Sequence, residues 1–199
     1  MGEDVGCNAV KGIFLHDLEL DALRASAERA HTRGVDAVFL ADGPLGDAIV
    51  LAAGLAAALT PAGTPDLLLG VRYSLGPPPH RHPTVLAREM TTLDHVTGGR
   101  VLVAFMGPFT DATSEAIVLC REMWSMGIGV SEGPYFPVVG AINRPLPRTK
   151  GGPPLALDLT DGSVPDEGHL RACDLVLVPV GATPPEALPP GVEVCWVES

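Results

Sequence analysis

Lysine is nearly absent from this chain, occurring only at Lys11 and Lys150, and Lys and Arg together number 13 against 24 Asp and Glu. The resulting net charge of -11 repels phosphate backbones and anionic lipid, so neither nucleic acid nor a membrane surface is an expected partner. Cysteine is sparse and scattered. Cys7, Cys120, Cys173 and Cys195 form no CxxC pair, which speaks against a zinc knuckle or a disulfide scaffold and for reduced, mostly core thiols. The longest apolar run, Ala48 to Leu59, falls short of the ~20 residues that cross a bilayer. No basic stretch leads into an apolar one at the start, so no signal peptide is expected and a cytoplasmic location is. There is no G-x-S-x-G elbow and no lysine at a strand end, which argues against hydrolase and Schiff-base aldolase chemistry.

What is present is an alternation. With 46% hydrophobic residues, residues 1–199 can bury one core and read as a single domain. Lys11 to Leu15, Ala37 to Ala41, Leu67 to Tyr73 and Val101 to Phe105 are short apolar runs of strand type. Between them lie segments with helical spacing: Leu20 to Arg33, Asp47 to Leu59, and Pro83 to about Val96. A fourth helix, capped by Thr113 or Ser114, runs to Gly127. The Gly- and Pro-rich stretch from Gly127 to Gly152 reads as a long excursion. Leu155 to Leu159, Leu175 to Val180 and Val192 to Val197 are further strands, with a helical turn at His169 to Cys173 and a segment too proline-rich for a helix between the last two.

Repeated strand–helix units predict a parallel sheet with helical crossovers. The fold class is therefore α/β, a (β/α) TIM-type barrel. A full eightfold barrel takes ~250 residues, so with about seven strands this one is expected to be shortened or incomplete. An open doubly wound sheet is the alternative on pattern alone.

The segment from His82-Pro83 through Leu86-Ala87-Arg88, Thr92-Leu93-Asp94 and Thr97-Gly98-Gly99-Arg100 resembles the P-x-x-L-A-R, T-L-D and S/T-G-G-R motif of the luciferase-like monooxygenases. Ala27-Glu28 with Gly34-Val35-Asp36, Leu69-Gly70-Val71, Glu115, Met123-Trp124, Glu132-Gly133 and Gly152-Pro153-Pro154 agree with that family in order. The resemblance covers roughly residues 11 to 160. It implies a flavin- or F420-dependent oxidoreductase acting on a small-molecule substrate, with FMN or F420 as cofactor. It also implies that the turn at Val71-Arg72 lies behind the cofactor ring and that the loop at Met106-Gly107 helps hold the phosphate-bearing tail. A non-catalytic or accessory dimeric member of the same fold is the alternative.

In a parallel barrel the site lies beyond the strand C-termini. This rule nominates His16 with Asp17, Asp42 with Gly43, Arg72, Met106 with Gly107, and Asp158 with Asp161. His16 and Asp42 are the candidate catalytic residues; Val71, Arg72, Met106 and Gly107 are the candidate cofactor-binding residues. Each has a plainer reading. His16 can be an ordinary loop histidine, Asp42 a helix cap, and Arg72 the partner of a carboxylate. The family's loop after strand four carries Gly-x-Gly where this chain has Met106-Gly107-Pro108, and proline removes an amide donor. Asp158 and Asp161 would repel a phosphate. No metal site is expected: His80-Arg81-His82 has no accompanying carboxylate cluster. Trp124, Tyr135 and Phe136 read as packing. The helix at 48–59 is apolar nearly all round. A barrel helix normally keeps one wet face, so a homodimer through helices 48–59 and 83–96 is expected, as the resemblance also implies.

Overall fold

Strands that are apolar on both faces have to be covered on both. The chain achieves this by closing the strands on themselves and wrapping helices round the outside. A computed structural model describes residues 10–16, 19–42, 46–60, 66–75 and 81–198. In order, the elements are β1 (Val10–Phe14), α1 (Leu20–Thr32), β2 (Ala37–Ala41), α2 (Ala48–Leu59), β3 (Leu68–Ser74), α3 (Pro83–Thr97) and β4 (Val101–Met106). They continue with α4 (Asp111–Met126), β5 (Ile128–Ser131), β6 (Val138–Ile142), β7 (Leu155–Asp158), α5 (Glu167–Ala172), β8 (Leu175–Pro179) and β9 (Glu193–Glu198). Seven strands form a closed barrel in the order β1-β2-β3-β4-β7-β8-β9, while β5 and β6 pair as a separate antiparallel hairpin. All barrel pairings are parallel, and β9 closes on β1 with Val10 beside Cys195. This settles the choice left open by the pattern: the sheet is closed, not open and doubly wound.

Alternation along each strand makes two cores. Outward residues such as Leu40, Val71, Val103 and Leu157 pack beneath the helices. Inward residues, among them Ala37, Phe39, Ala104, Ala156 and Leu177, fill the lumen. A seven-stranded lumen is narrow, and Phe39 occupies it because two neighbouring strands offer no side chain. A Cβ on Gly12 would lie 2.6 Å from the Phe39 ring, and one on Gly70 would lie 2.2 Å from it.

The signature segment from Pro83 to Arg100 packs outside the barrel, as its physics predicts. Leu86, Met90 and Leu93 face inward from α3, and Gly98 closes the helix in the left-handed conformation. Asp94 is buried and accepts from the Thr149 amide (2.9 Å) and hydroxyl (2.6 Å), tying α3 to the approach to β7. Trp124 is buried packing, its indole donating to the Ala87 carbonyl at 3.0 Å. Phe136 is buried too, but Tyr135 is half exposed.

Several local expectations shift. The helix expected to start at Thr113 or Ser114 is capped three residues earlier at Thr110, whose amide donates to the Thr113 hydroxyl (3.1 Å). The excursion after Gly127 contains the β5–β6 hairpin, held to α4 by Glu115, which accepts from the Ser131 hydroxyl and the Tyr135 and Phe136 amides. The proline-rich stretch between β8 and β9 forms no helix, as expected. Cys120, Cys173 and Cys195 are free and buried, and burial pushes all three thiols up to about 12. Cys7 lies outside the described residues. No helix among the described residues is long and apolar enough to cross a membrane.

Candidate functional site at the strand C-termini

The inward parity that places Phe39 in the lumen brings Phe14, Arg72, Met106 and Asp158 to its upper rim. Arg72 sits between Ala41 and Ala104 in register, and Asp158 lies beside Met106. Arg72 reaches across: its Nε is 2.6 Å from Asp158 Oδ2, and its guanidinium carbon stands 4.0 Å from the centre of the Phe14 ring. The other Asp158 oxygen accepts from the Thr160 amide (3.0 Å) and hydroxyl (2.6 Å). The Asp158 side chain is 2% exposed and that of Arg72 13%. The charge of Arg72 is therefore spent inside the protein, on a carboxylate that Thr160 holds from the other side.

Of the two plain readings, pairing is the one realised for Arg72, and capping the one realised for Asp42. Asp42 accepts from the Ala48 amide at 2.8 Å and pairs with Arg81 at 2.7 Å. Arg81 also binds Asp47, the cap of α2, and lies 3.0 Å from Glu89. Glu89 Oε2 is buried without a hydrogen bond, so that contact is an ion pair off the N–H direction. Burial works against the Arg81 charge, and Asp42, Asp47 and Glu89 outweigh it, so its pKa is raised. Burial lifts Glu89 above the usual carboxylate range, and Arg81 offsets only part of this. The Tyr73 hydroxyl donates to the Arg81 carbonyl, and burial raises that phenol well above its ordinary value. This cluster clasps the loops after β2 and β3 to the start of α3.

The remaining nominated residues scatter. His16 is exposed, with its ring 6.5 Å from that of Phe14 and none of its atoms in the Arg72–Asp158 pair. Val71 is fully buried beneath the helices, so its side chain faces away from the lumen. Met106 is half-buried at the rim. Gly107 is covered: a Cβ there would lie 2.0 Å from Ser163 Oγ and 3.2 Å from an Asp161 oxygen. Asp17, Gly43 and His80 lie outside the described residues. Phe14, Thr160 and Ser163 were not anticipated. The parity of Val10, Gly12 and Phe14 could have found the first, whereas the other two carry no local signal.

Ser114, His169 and Asp166 form a line that looks like a nucleophilic triad: Ser114 Oγ to Nε2 is 3.1 Å, and Nδ1 to Asp166 Oδ1 is 2.7 Å. Yet the same Nε2 lies 3.0 Å from the Thr110 carbonyl, and the ring is 3% exposed. A carbonyl only accepts, so it claims the Nε2 proton, and a base needs that nitrogen bare. The histidine joins the start of α4 to α5. Among the described residues no group of three His, Cys, Asp or Glu side chains could hold a metal.

A phosphorylated flavin or deazaflavin needs a flat apolar bed for its rings and free amides or cations for its phosphate. The mouth offers the bed. A cleft of about 370 Å³ is lined by Phe14, Thr160, Pro179 and Val197. Among the described residues the groups nominated for the anchor do not supply it: Arg72 is paired with Asp158, Gly107 lies under Ser163 and Asp161, and residue 108 is proline. The mouth fits the ring system, and the nominated residues do not fit the phosphate.

Residues 7–105 match the sequence model of the luciferase-like monooxygenase family. No curated protein matches the chain. Among solved structures it is similar to a coenzyme F420-dependent tetrahydromethanopterin reductase from Methanopyrus kandleri, at 17% identity and a TM-score of 0.67, covering 85% of this chain and 55% of that one. An EDTA monooxygenase from Chelativorans sp. BNC1 is similar at 20% identity and a TM-score of 0.67, with 87% and 54% covered. A monooxygenase from Streptomyces bottropensis is similar at 20% identity and a TM-score of 0.65, with 88% and 61% covered. At such identities the likeness is one of fold, and the chain spans little more than half the length of these structures. The family signature in its first half and a barrel shared with these oxidoreductases make the chain luciferase-like in both sequence and fold.

Proposed function

We propose that this chain is an accessory, non-catalytic luciferase-like protein, a homodimer in the cytoplasm that binds a small molecule at the barrel mouth and has given up its hold on FMN or F420. The observation that carries this reading is the Arg72–Asp158 pair across the rim (2.6 Å), seconded by the cover over Gly107. Together they take the two features a phosphate would use and commit them to the protein itself. Dimerisation is supported by α2, which has no polar residue from Ala48 to Leu59 and leaves Val50 68% exposed. Val85 and Val96 of neighbouring α3 are exposed as well.

The second reading is an FMN- or F420-dependent oxidoreductase, and the family match together with the F420-dependent reductase and monooxygenases among the similar structures favours it. Absorbance of the purified protein in the flavin region, followed by titration with FMN and with F420, separates the two. The accessory reading expects no bound chromophore and no saturable binding at micromolar concentration. Tight binding of either cofactor overturns it in favour of the enzyme. Native mass measurement at micromolar concentration tests the dimer, and a monomer only would end that part of the proposal.

A further inference from the structure

We propose that the outer face of the barrel at β9 and β1 carries a second binding site, separate from the lumen, whose ligand is a small aromatic carboxylate. Side-chain parity builds it. Cys195 and Val197 face the lumen, so Trp196 between them faces outward. Gly12 lies against Phe39 in the lumen, so Lys11 faces outward as well. Lys11 and Trp196 are register partners on adjacent parallel strands, which sets an ammonium and an indole side by side. No helix stands between β8 and β9 among the described residues. In place of a packed cover, Lys11 and Trp196 line a cleft of about 580 Å³, walled by Val35 after α1 and by Val180 and Ala182 after β8. That size lies within the ~300–1,000 Å³ usual for small-molecule sites.

The charge of the cleft runs against that of the chain. The sequence carries 13 Lys and Arg against 24 Asp and Glu, yet the cleft is lined by Lys11, Arg33 and one carboxylate, Glu198. Arg33 stands 3.4 Å from Glu198, with both side chains 61% exposed, so their pairing is solvated and easily exchanged for another carboxylate. The Lys11 backbone amide donates to Asp36 Oδ2 at 2.9 Å, but its ammonium forms no salt bridge among the described residues. Two cations against one carboxylate leave a single positive charge, which one ligand carboxylate neutralises. The Trp196 indole offers a face on which an aromatic ring stacks. A neutral ligand would forgo the cations, and an aliphatic one the indole. Glu198 and Val180 also border the mouth cleft, so the two sites adjoin, but Lys11, Arg33 and Trp196 belong to the outer one.

The test uses the full chain with naphthoate and its uncharged counterpart naphthamide, followed by calorimetry. Naphthoate is expected to saturate, with naphthamide at least about fivefold weaker, the scale of one solvated charge contact. Lys11→Gln removes a charge at an exposed position. It is expected to weaken naphthoate about fivefold and to leave naphthamide unaltered. Glu198→Gln frees Arg33 and is expected to tighten naphthoate about threefold, a gain that misfolding does not produce. Trp196→Leu is expected to weaken both ligands alike. If naphthoate does not bind at millimolar concentration, or naphthamide binds equally well, the proposal is overturned. If naphthoate binds but responds to neither Lys11→Gln nor Glu198→Gln, its seat is elsewhere, the barrel mouth included, and the outer site falls. None of these outcomes bears on FMN or F420 at the mouth, so this site and the accessory reading stand or fall separately.

Discussion

The first four barrel strands and the last three are built by different rules. β1 to β4 are each followed by a helix of 12 to 16 residues that covers them. β7 is followed by the six-residue α5, and β8 by a proline-rich loop with no helix. The first part carries the family's sequence signature and the lumen plug, Phe39. The second supplies Asp158, Thr160, Asp161, Ser163 and Pro179, the groups that set the character of the mouth. The first half thus supplies most of the scaffold, and the loops of the second meet Phe14 and Arg72 of the first across the rim, the usual division between packed elements and the loops that border a site.

The sharpest break of this comparison is in the scaffold half. Phe39 fills the lumen between Gly12 and Gly70, and Phe39→Ala is expected to cost about 3–5 kcal/mol, the range for emptying a core aromatic site. Gly70→Ala alone forces a methyl to within 2.2 Å of the ring and is expected to cost about 1–3 kcal/mol. Combined with Phe39→Leu, the glycine change should become cheaper than it is alone, because the two sites share one volume. Denaturant midpoints on the four proteins give the cycle. Additive costs would mean that Phe39 does not fill the lumen in this way.

The mouth half breaks differently. Asp158→Ala strands a mostly buried guanidinium and is expected to destabilise by about 3 kcal/mol, whereas replacing the pair together (Arg72→Met with Asp158→Leu) should come close to neutral. A single substitution costing less than about 1 kcal/mol, the scale of a solvated surface pair, would show that water reaches Arg72 freely. The rim would then be open to an anion after all.

The two halves were also unequally readable. From Pro83 to Arg100 every local signal agrees with the final packing: proline at the helix start, apolar residues on one face, glycine at the stop. Such agreement survives tertiary context. The Arg72–Asp158 contact joins residues 86 apart, and no local pattern reports which of many carboxylates an arginine will meet. The sequence did supply the hostility of Asp158 and Asp161 to phosphate, but not that Asp158 also silences the nearest cation. Asp42 is a related case. A carboxylate at a strand end suits a cofactor and a helix cap equally, and no local pattern reports that it meets Arg81 and the Ala48 amide. The hairpin after Gly127 escaped notice because Ile128, Val130 and Ile142 are exposed. Its strands lack the buried-face alternation on which strand recognition depends.

That hairpin, lying between the two halves, gives the smallest and most local effect. Burial acts to raise the Glu115 pKa, but the Phe136 and Tyr135 amides and the Ser131 hydroxyl outweigh it, and the carboxyl is held below the usual carboxylate range. A depressed acid contributes stability that is fully present above its unfolded value, about 4.3, and is lost as pH falls through the lower folded value. Hydrogen exchange at the Tyr135 and Phe136 amides should therefore quicken, relative to the amides of β4, as the solution is acidified below about pH 4. Glu115→Gln should remove that pH dependence and leave exchange faster at neutral pH, since an amide oxygen is a weaker acceptor than a carboxylate. Exchange that is equally slow in both proteins at neutral pH would mean that the hairpin is held by its packing against α4 and not by this carboxylate.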